Sequence, residues 1–149
     1  NNSEWIVRKK NREVPAVEMI LRFRDGKTLA VLALHPVPPI GKNYTQSRDN
    51  YLANLSRHLH GQKKPCTVIG DFNATLWHPP VRRLLNQHQL MYALPDSSMF
   101  PSTWPSALPG MGIPIDLCLV DRSIRLLDHQ VGPRVGSDHR PLELQYTLE

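Results

Sequence analysis

The residues whose types could do chemistry in this chain stand at the ends of short apolar runs. His35 closes "TLAVLALH", and Asp71 and Asn73 follow "CTVIG". Asp116 opens "IDLCLV", and Ser137, Asp138 and His139 stand just ahead of "RPLELQYTL". Carboxylates and imidazoles held within hydrogen-bond reach move protons. A carboxylate also suits a hard cation, and an amide donates hydrogen bonds to anionic oxygens. Each residue alone has an ordinary reading. Asp and Asn are common turn formers after a strand, and a lone histidine is usually structural. Taken jointly, strand ends are rigid platforms for polar groups that must be held still.

The elements that must position these groups are legible. "AVEMILRF", from Ala16 to Phe23, is rich in strand formers, and "RDGK" after it is a hairpin signal. "TLAVLALH" reads as a strand buried on both faces. A helix is predicted from about Tyr44 to His60, with Asn43 as its cap, Gln46 as capping-box partner and Gly61 as its stop. Tyr51, Leu52, Leu55 and Leu59 form its apolar stripe. "CTVIGDF" is the next strand. Pro79 and Pro80 open a second helix, "VRRLLNQHQLM". A long irregular stretch runs from Leu94 to Pro114. Ile115 to Val120, "SIRLLDHQV" and about Leu142 to Leu148 are further strands. The pattern predicts an α/β (α+β) arrangement with one mixed, mainly antiparallel sheet. If the strands carrying Asp71 and Asp116 run in opposite directions, those two acids are neighbours and His139 can join them. On that register Cys66 and Cys118 are offset by three residues, about 10 Å at strand rise. That is too far for a disulfide, so both thiols are expected to be free.

The 149 residues suffice for one domain with a modest core, with 40% hydrophobic residues and 14 prolines. Lys plus Arg number 18 against 13 Asp plus Glu, a net charge of +5 that suits a polyanionic partner or simply a basic surface. No apolar run is long enough to span a membrane. His58, His60, His78, His88 and His129 show no zinc-site spacing and are read as structural.

The blocks "LALHPVPP", "VIGDFNAT", "STWPSALPGMGIPIDLCLV" and "VGSDHRPLEL", in this order, resemble the endonuclease/exonuclease/phosphatase superfamily, the metal-dependent phosphoesterases related to pancreatic deoxyribonuclease. The resemblance runs from about Val17 onward and implies the second half of a four-layer α/β sandwich. The family's first-half Asn and metal-binding Glu have no counterpart among Glu4, Glu13 and Glu18. Residues 1–149 are therefore expected to be the C-terminal portion of such a domain, its N-terminal half absent. Relatives often place His or Tyr after the strand-opening Asp, where this chain has Leu117.

The resemblance implies the roles. Asp71 orients or deprotonates the attacking water, and Asn73 donates to the water or to a phosphate oxygen. Asp116 fixes the tautomer of His139 and favours its imidazolium, which donates to a non-bridging oxygen. His35 is a second donor to the phosphate or the leaving group. Asp138 is the carboxylate for Mg²⁺ or Mn²⁺, bound weakly because the family's Glu is missing. Trp104 either walls the substrate cleft or folds onto the core.

The substrate is a phosphoester of open identity, with positive charge favouring nucleic acid. The alternative is a non-catalytic basic module that grips nucleic acid or other polyanions. The fragment alone is expected to be weakly active or inactive. The blocks resemble bacterial proteins, many of which carry membrane helices ahead of a domain outside the cytoplasm, while this segment makes no membrane contact. With half of the sandwich absent, one sheet face is expected to lie bare or to be hidden in a homodimer.

Overall fold

The computed structural model describes residues 16–63, 65–93, 102–108 and 110–148. Strand β1 (Val17–Arg22) turns through Asp25 and Gly26 into β2 (Thr28–Leu34), with Met19 opposite Val31. The Asp25 side chain accepts from the backbone N–H of Lys27, as an Asx turn requires. Helix α1 (Lys42–Leu59) then crosses to β3 (Cys66–Asp71), which lies parallel to β2. Helix α2 (Pro79–His88), β4 (Met91–Tyr92), β5 (Asp116–Val120), β6 (Ile124–Val131) and β7 (Leu142–Leu148) follow. Five strands form one mixed sheet in the order β1-β2-β3-β5-β4, antiparallel except at β2–β3. The remaining two, β6 and β7, pair antiparallel as a second sheet.

Strand parity explains the layers. Ala30, Leu32 and Leu34 of β2 share one face with Val68 of β3 and Leu117 and Leu119 of β5. That face packs on Leu52, Leu55 and Leu59 of α1 and Val81 and Leu84 of α2, the apolar stripes of both helices. Leu29, Val31, Cys118 and Val120 point the other way, onto Ile124, Leu126, Leu142, Leu144 and Tyr146 of the β6–β7 hairpin. Both faces of the central strands are thus covered, as their near-continuous apolar sequences require.

Four expectations are corrected. There are two sheets where one was expected, because β6–β7 pair with each other rather than joining the larger sheet. The larger sheet's second face is therefore covered over its central strands, so the broad bare face expected there is not found. Among the described residues, the apolar row that remains exposed on that face is Val17, Met19 and Leu21 of the edge strand β1. Helix α1 begins ahead of Asn43, its N-cap being Gly41 with no side-chain cap, while Gln46 donates to Asn50 within the helix. Helix α2 stops at His88, where Gln89 turns left-handed (φ 53°), so Met91 belongs to β4.

Cys66 and Cys118 are both buried and free. Cys118 lies opposite Ile69, three residues from Cys66 in the register anticipated from the sequence. Burial pushes the Cys66 thiol up to about 11, helped by the charges of Asp121 and Glu18, and the Cys118 thiol up to about 12. Both are expected to resist a thiol reagent at neutral pH in the native protein and to react fully in denaturant. Rapid native labelling of either cysteine would contradict this burial.

Candidate active site

The same parity that builds the layers places the polar groups. In the antiparallel β3–β5 register Asp71 lies opposite Asp116. Both point to the hairpin side of the sheet, as Ile69 and Cys118 do two residues away. In the parallel β2–β3 register Leu34 pairs with Gly70, which sets His35 beside Asp71. The β6–β7 connection, Gly132 to Pro141, then carries His139 over that edge.

The resulting cluster is compact. His139 Nδ1 lies 2.8 Å from Asp116 Oδ2. This bond fixes Nδ1 as the donor and turns Nε2 towards Asp71 Oδ2, 3.8 Å away. His35 Nε2 approaches the same Asp71 Oδ2 at 3.4 Å, so one carboxylate oxygen faces two imidazoles. The other oxygen, Oδ1, accepts the backbone N–H of Asn73 at 2.7 Å, closing an Asx turn. Asn73 takes a left-handed backbone (φ 46°), which Asn tolerates better than most residues, and its Nδ2 donates to the carbonyl of Pro36.

The electrostatics follow from this geometry. Burial raises the Asp71 carboxyl above the ordinary value, and repulsion from Asp116 adds to it, against the Asn73 hydrogen bond and the two histidines. For His139 burial is the largest influence and acts downward. The hydrogen bond and charge of Asp116, with the charges of Asp71 and Asp138, outweigh it and raise the imidazole above its usual value. A partly buried carboxyl made more basic sits beside an imidazolium made more persistent, and perturbed neighbours of this kind mark candidate acid–base sites.

Of the residues singled out from sequence, His35, Asp71, Asn73, Asp116 and His139 come together. Asp138 lies on the His139 loop but is exposed, and its Oδ2 faces Trp104 Nε1 at 3.4 Å. Trp104 is partly exposed and pairs with Ile113 at the loop's edge, so it is not folded into the core. A metal-capable group among the described residues is Asp71, Asp116 and His139, whose ligand atoms lie within 4.8 Å of one another. Two carboxylates this close are oxygen donors of the kind that a hard divalent ion takes. A cleft of about 360 Å³ opens beside it, lined by Ile69, Gly70, Asp116, Ser137, His139 and Leu142.

Two supports are not among the residues singled out from sequence. Arg48 of α1 is buried, and its Nη1 donates to the carbonyl of Asn73 at 2.9 Å. Asp49 Oδ1 accepts from the Arg48 guanidinium and from His78. Burial pulls the Asp49 carboxyl upward most strongly, yet the bonds from His78 and Arg48 win and hold it below the usual carboxylate range. Thr103 is the other support, buried beneath Asp116. Arg48 continues the Leu52, Leu55 and Leu59 stripe one turn earlier, a spacing that shows burial but not its partner, and no spacing marks Thr103. The other histidines are dispersed: His58 pairs with Glu18, His60 meets the His88 ring at 4.7 Å in a tilted contact, and His129 is buried on β6.

A family profile described as the Endonuclease/Exonuclease/phosphatase family matches residues 4–139, starting ahead of Val17 and ending on His139. No curated protein sequence matches the chain. Among solved structures, a functionally unknown conserved protein from Enterococcus faecalis is 17% identical with a TM-score of 0.74, covering 95% of this chain and 59% of that one. The human Nocturnin catalytic domain, with a bound sulfate anion, is 20% identical with a TM-score of 0.69, covering 95% and 54%. The mannosyl-6-phosphatase of Bacteroides thetaiotaomicron is 17% identical with a TM-score of 0.65, covering 91% and 58%. At these identities the likeness is one of fold. The chain spans somewhat over half the length of each of these three.

Proposed function

The chain belongs to the endonuclease/exonuclease/phosphatase family, and from that premise we propose that it forms the reacting edge of a divalent-metal-dependent phosphoesterase. The observation that carries the proposal is the Asp116–His139–Asp71 line, with His35 on the same Asp71 oxygen. Turn formers scattered at unrelated strand ends would not converge in this way.

In this reading Asp71 takes a proton from water as the water oxygen bonds to phosphorus. The bond from phosphorus to the leaving oxygen breaks, and His35 returns a proton to that oxygen. His139, held as imidazolium by Asp116, donates to a non-bridging oxygen where charge builds. Asn73 supplies an amide contact to the same phosphate. Mg²⁺ or Mn²⁺, held by Asp138 or by the carboxylates of the cluster, would neutralise phosphate oxygens. Two of the structural relatives have names or contents that point to phosphate chemistry: a sulfate stands in Nocturnin, and the Bacteroides enzyme is named a phosphatase. The net charge of +5 favours a nucleic-acid substrate over a neutral one.

The test is hydrolysis by the full-length protein of a panel holding single-stranded DNA, RNA, a sugar phosphate and an inositol phosphate, with Mg²⁺, Mn²⁺ or excess EDTA. Metal-dependent release from at least one member is expected, with loss in Asp71→Asn of about a hundredfold or more. Tight binding of nucleic acid without turnover under any metal would replace the enzyme reading by that of a polyanion-binding module.

A further inference from the structure

The short segment 102–106 bonds the backbone on both sides of the Asp116–His139 pair without touching either side chain of the pair. Thr103 is 1% exposed. Its Oγ1 accepts the backbone N–H groups of Ile115 and Asp116, both at 3.2 Å, and faces the carbonyl of Ile113 at 3.4 Å. A hydroxyl has one proton and two lone pairs, so this arrangement satisfies it completely. The carbonyl of the same residue accepts the N–H of Arg140 at 2.9 Å. Thr103 therefore bonds the first residue of the Asp116 strand through its side chain, and the residue after His139 through its backbone.

Ser106, also 1% exposed, repeats the device on the other side of the loop. Its N–H donates to the carbonyl of Asp138 and its Oγ to the carbonyl of Ser137, both at 2.7 Å. The segment is pinned from outside by paired backbone bonds between Trp104 and Ile113, at 3.1 and 2.7 Å. Gly112 lets the two strands of this clasp approach, because a Cβ there would lie 2.2 Å from both Ser102 Oγ and the Trp104 carbonyl. Asp116 and His139 are far apart in sequence, one opening β5 and the other on the β6–β7 connection. The clasp fixes the backbone of both, and with it the 2.8 Å bond between them.

We infer that Thr103, seconded by Ser106, is a positioning residue that sets the Asp116–His139 geometry. It touches no reacting atom. The inference deepens the proposed acid–base role of that pair and rests on it for its effect on turnover. The geometric part stands by itself. Without the Thr103 hydroxyl one buried and one partly buried N–H group lose their acceptor, and the start of β5 must shift to find another. A displacement of about 1 Å at a reacting pair typically costs about a hundredfold in rate.

The experiment uses full-length protein carrying Thr103→Val, Thr103→Ser or Ser106→Ala, with two independent readouts. The first is the ¹⁵N signal of the His139 ring, which reports whether Nδ1–H remains donated to Asp116. The second is kinetics on whichever phosphoester the protein cleaves. Thr103→Val is expected to shift the ring signals and lower kcat by about thirtyfold, with KM changed by less than about threefold. Thr103→Ser keeps the hydroxyl and is expected to stay within about threefold of the parent in kcat and to retain the ring signals. Ser106→Ala should give a smaller shift of the same kind, and supplies the test should Thr103→Val fail to fold. Unchanged ring signals in both Thr103→Val and Ser106→Ala would overturn the inference, as would a serine variant as impaired as the valine. Should the ring signals move while the parent cleaves no phosphoester, the positioning inference stands and the proposed function falls.

Discussion

His139→Ala in the full-length protein is expected to lower phosphoester turnover by about a thousandfold, while the variant folds and melts close to the parent. The side chain is partly exposed, and its partners are carboxylates that water can reach once it is gone. Its loss should therefore be felt in the chemistry rather than in the fold. The pH profile gives the sharper signature. Asp116 and Asp71 raise the His139 imidazole above its usual value of about 6.5, against the downward pull of burial. Activity that needs the imidazolium should fall as pH rises through that raised value. Asp116→Asn removes the charge-assisted bond and should move this alkaline limb to lower pH, a change that His139→Ala cannot show. Linkage has the same sign. A histidine whose folded value is raised stabilises the fold fully below about 6.5, and that contribution is lost as pH climbs through the folded value. Turnover within a factor of three of the parent in His139→Ala would remove His139 from the mechanism. An alkaline limb unmoved in Asp116→Asn would detach Asp116 from it.

The parts of this site that were legible in the sequence are those that strand geometry dictates. A strand ending in Gly-Asp and another opening on Asp, each with a continuous apolar body, have one sensible antiparallel register, and it sets Asp71 against Asp116. The same register correctly separated Cys66 from Cys118. What stayed hidden depended on contacts with no periodic trace. The Thr103 hydroxyl bonds backbone groups twelve and thirteen residues away, across an irregular segment. Arg48 sits one turn ahead of Leu52 on the buried stripe of α1, yet its bond to the Asn73 carbonyl leaves no trace in that spacing. The β6–β7 sheet was missed for a different reason. Alternation in Leu142–Leu148 identified a strand but not which sheet it joins, since period-2 patterns carry no pairing partner. The helix start was misjudged because Asn43 and Gln46 carry a capping signature that a glycine two residues earlier pre-empted.

Gly70→Ala is expected to destabilise the protein by about 3 kcal/mol or more, one of the largest effects available from a single methyl group. Gly70 sits in β3 with φ 143°, a region that residues with a Cβ rarely adopt. A Cβ built there would lie 2.0 Å from the Leu34 carbonyl oxygen and 3.0 Å from its carbon, so the obstruction is backbone and cannot rotate away. The close approach is the parallel β2–β3 pairing itself, at the position where Leu34 meets Gly70. One residue beyond this contact, His35 and Asp71 come within 3.4 Å. A strand pair forced apart here therefore loses two things at once: ladder bonds in the middle of the sheet, and the alignment of His35 with Asp71. Melting of the full-length variant should occur about 6–12 °C lower. Any folded fraction should show turnover reduced out of proportion to the stability loss, with the ¹⁵N signals of His35 displaced. A distant destabilising change makes the contrast. Val81→Ala, in the helix core at 0% exposure, should lower the melting point but leave the His35 signals in place. A Gly70→Ala protein that melts within a degree of the parent would mean that β2 and β3 do not approach as closely as the register requires. The argument that brings His35 to Asp71 would then fail with it.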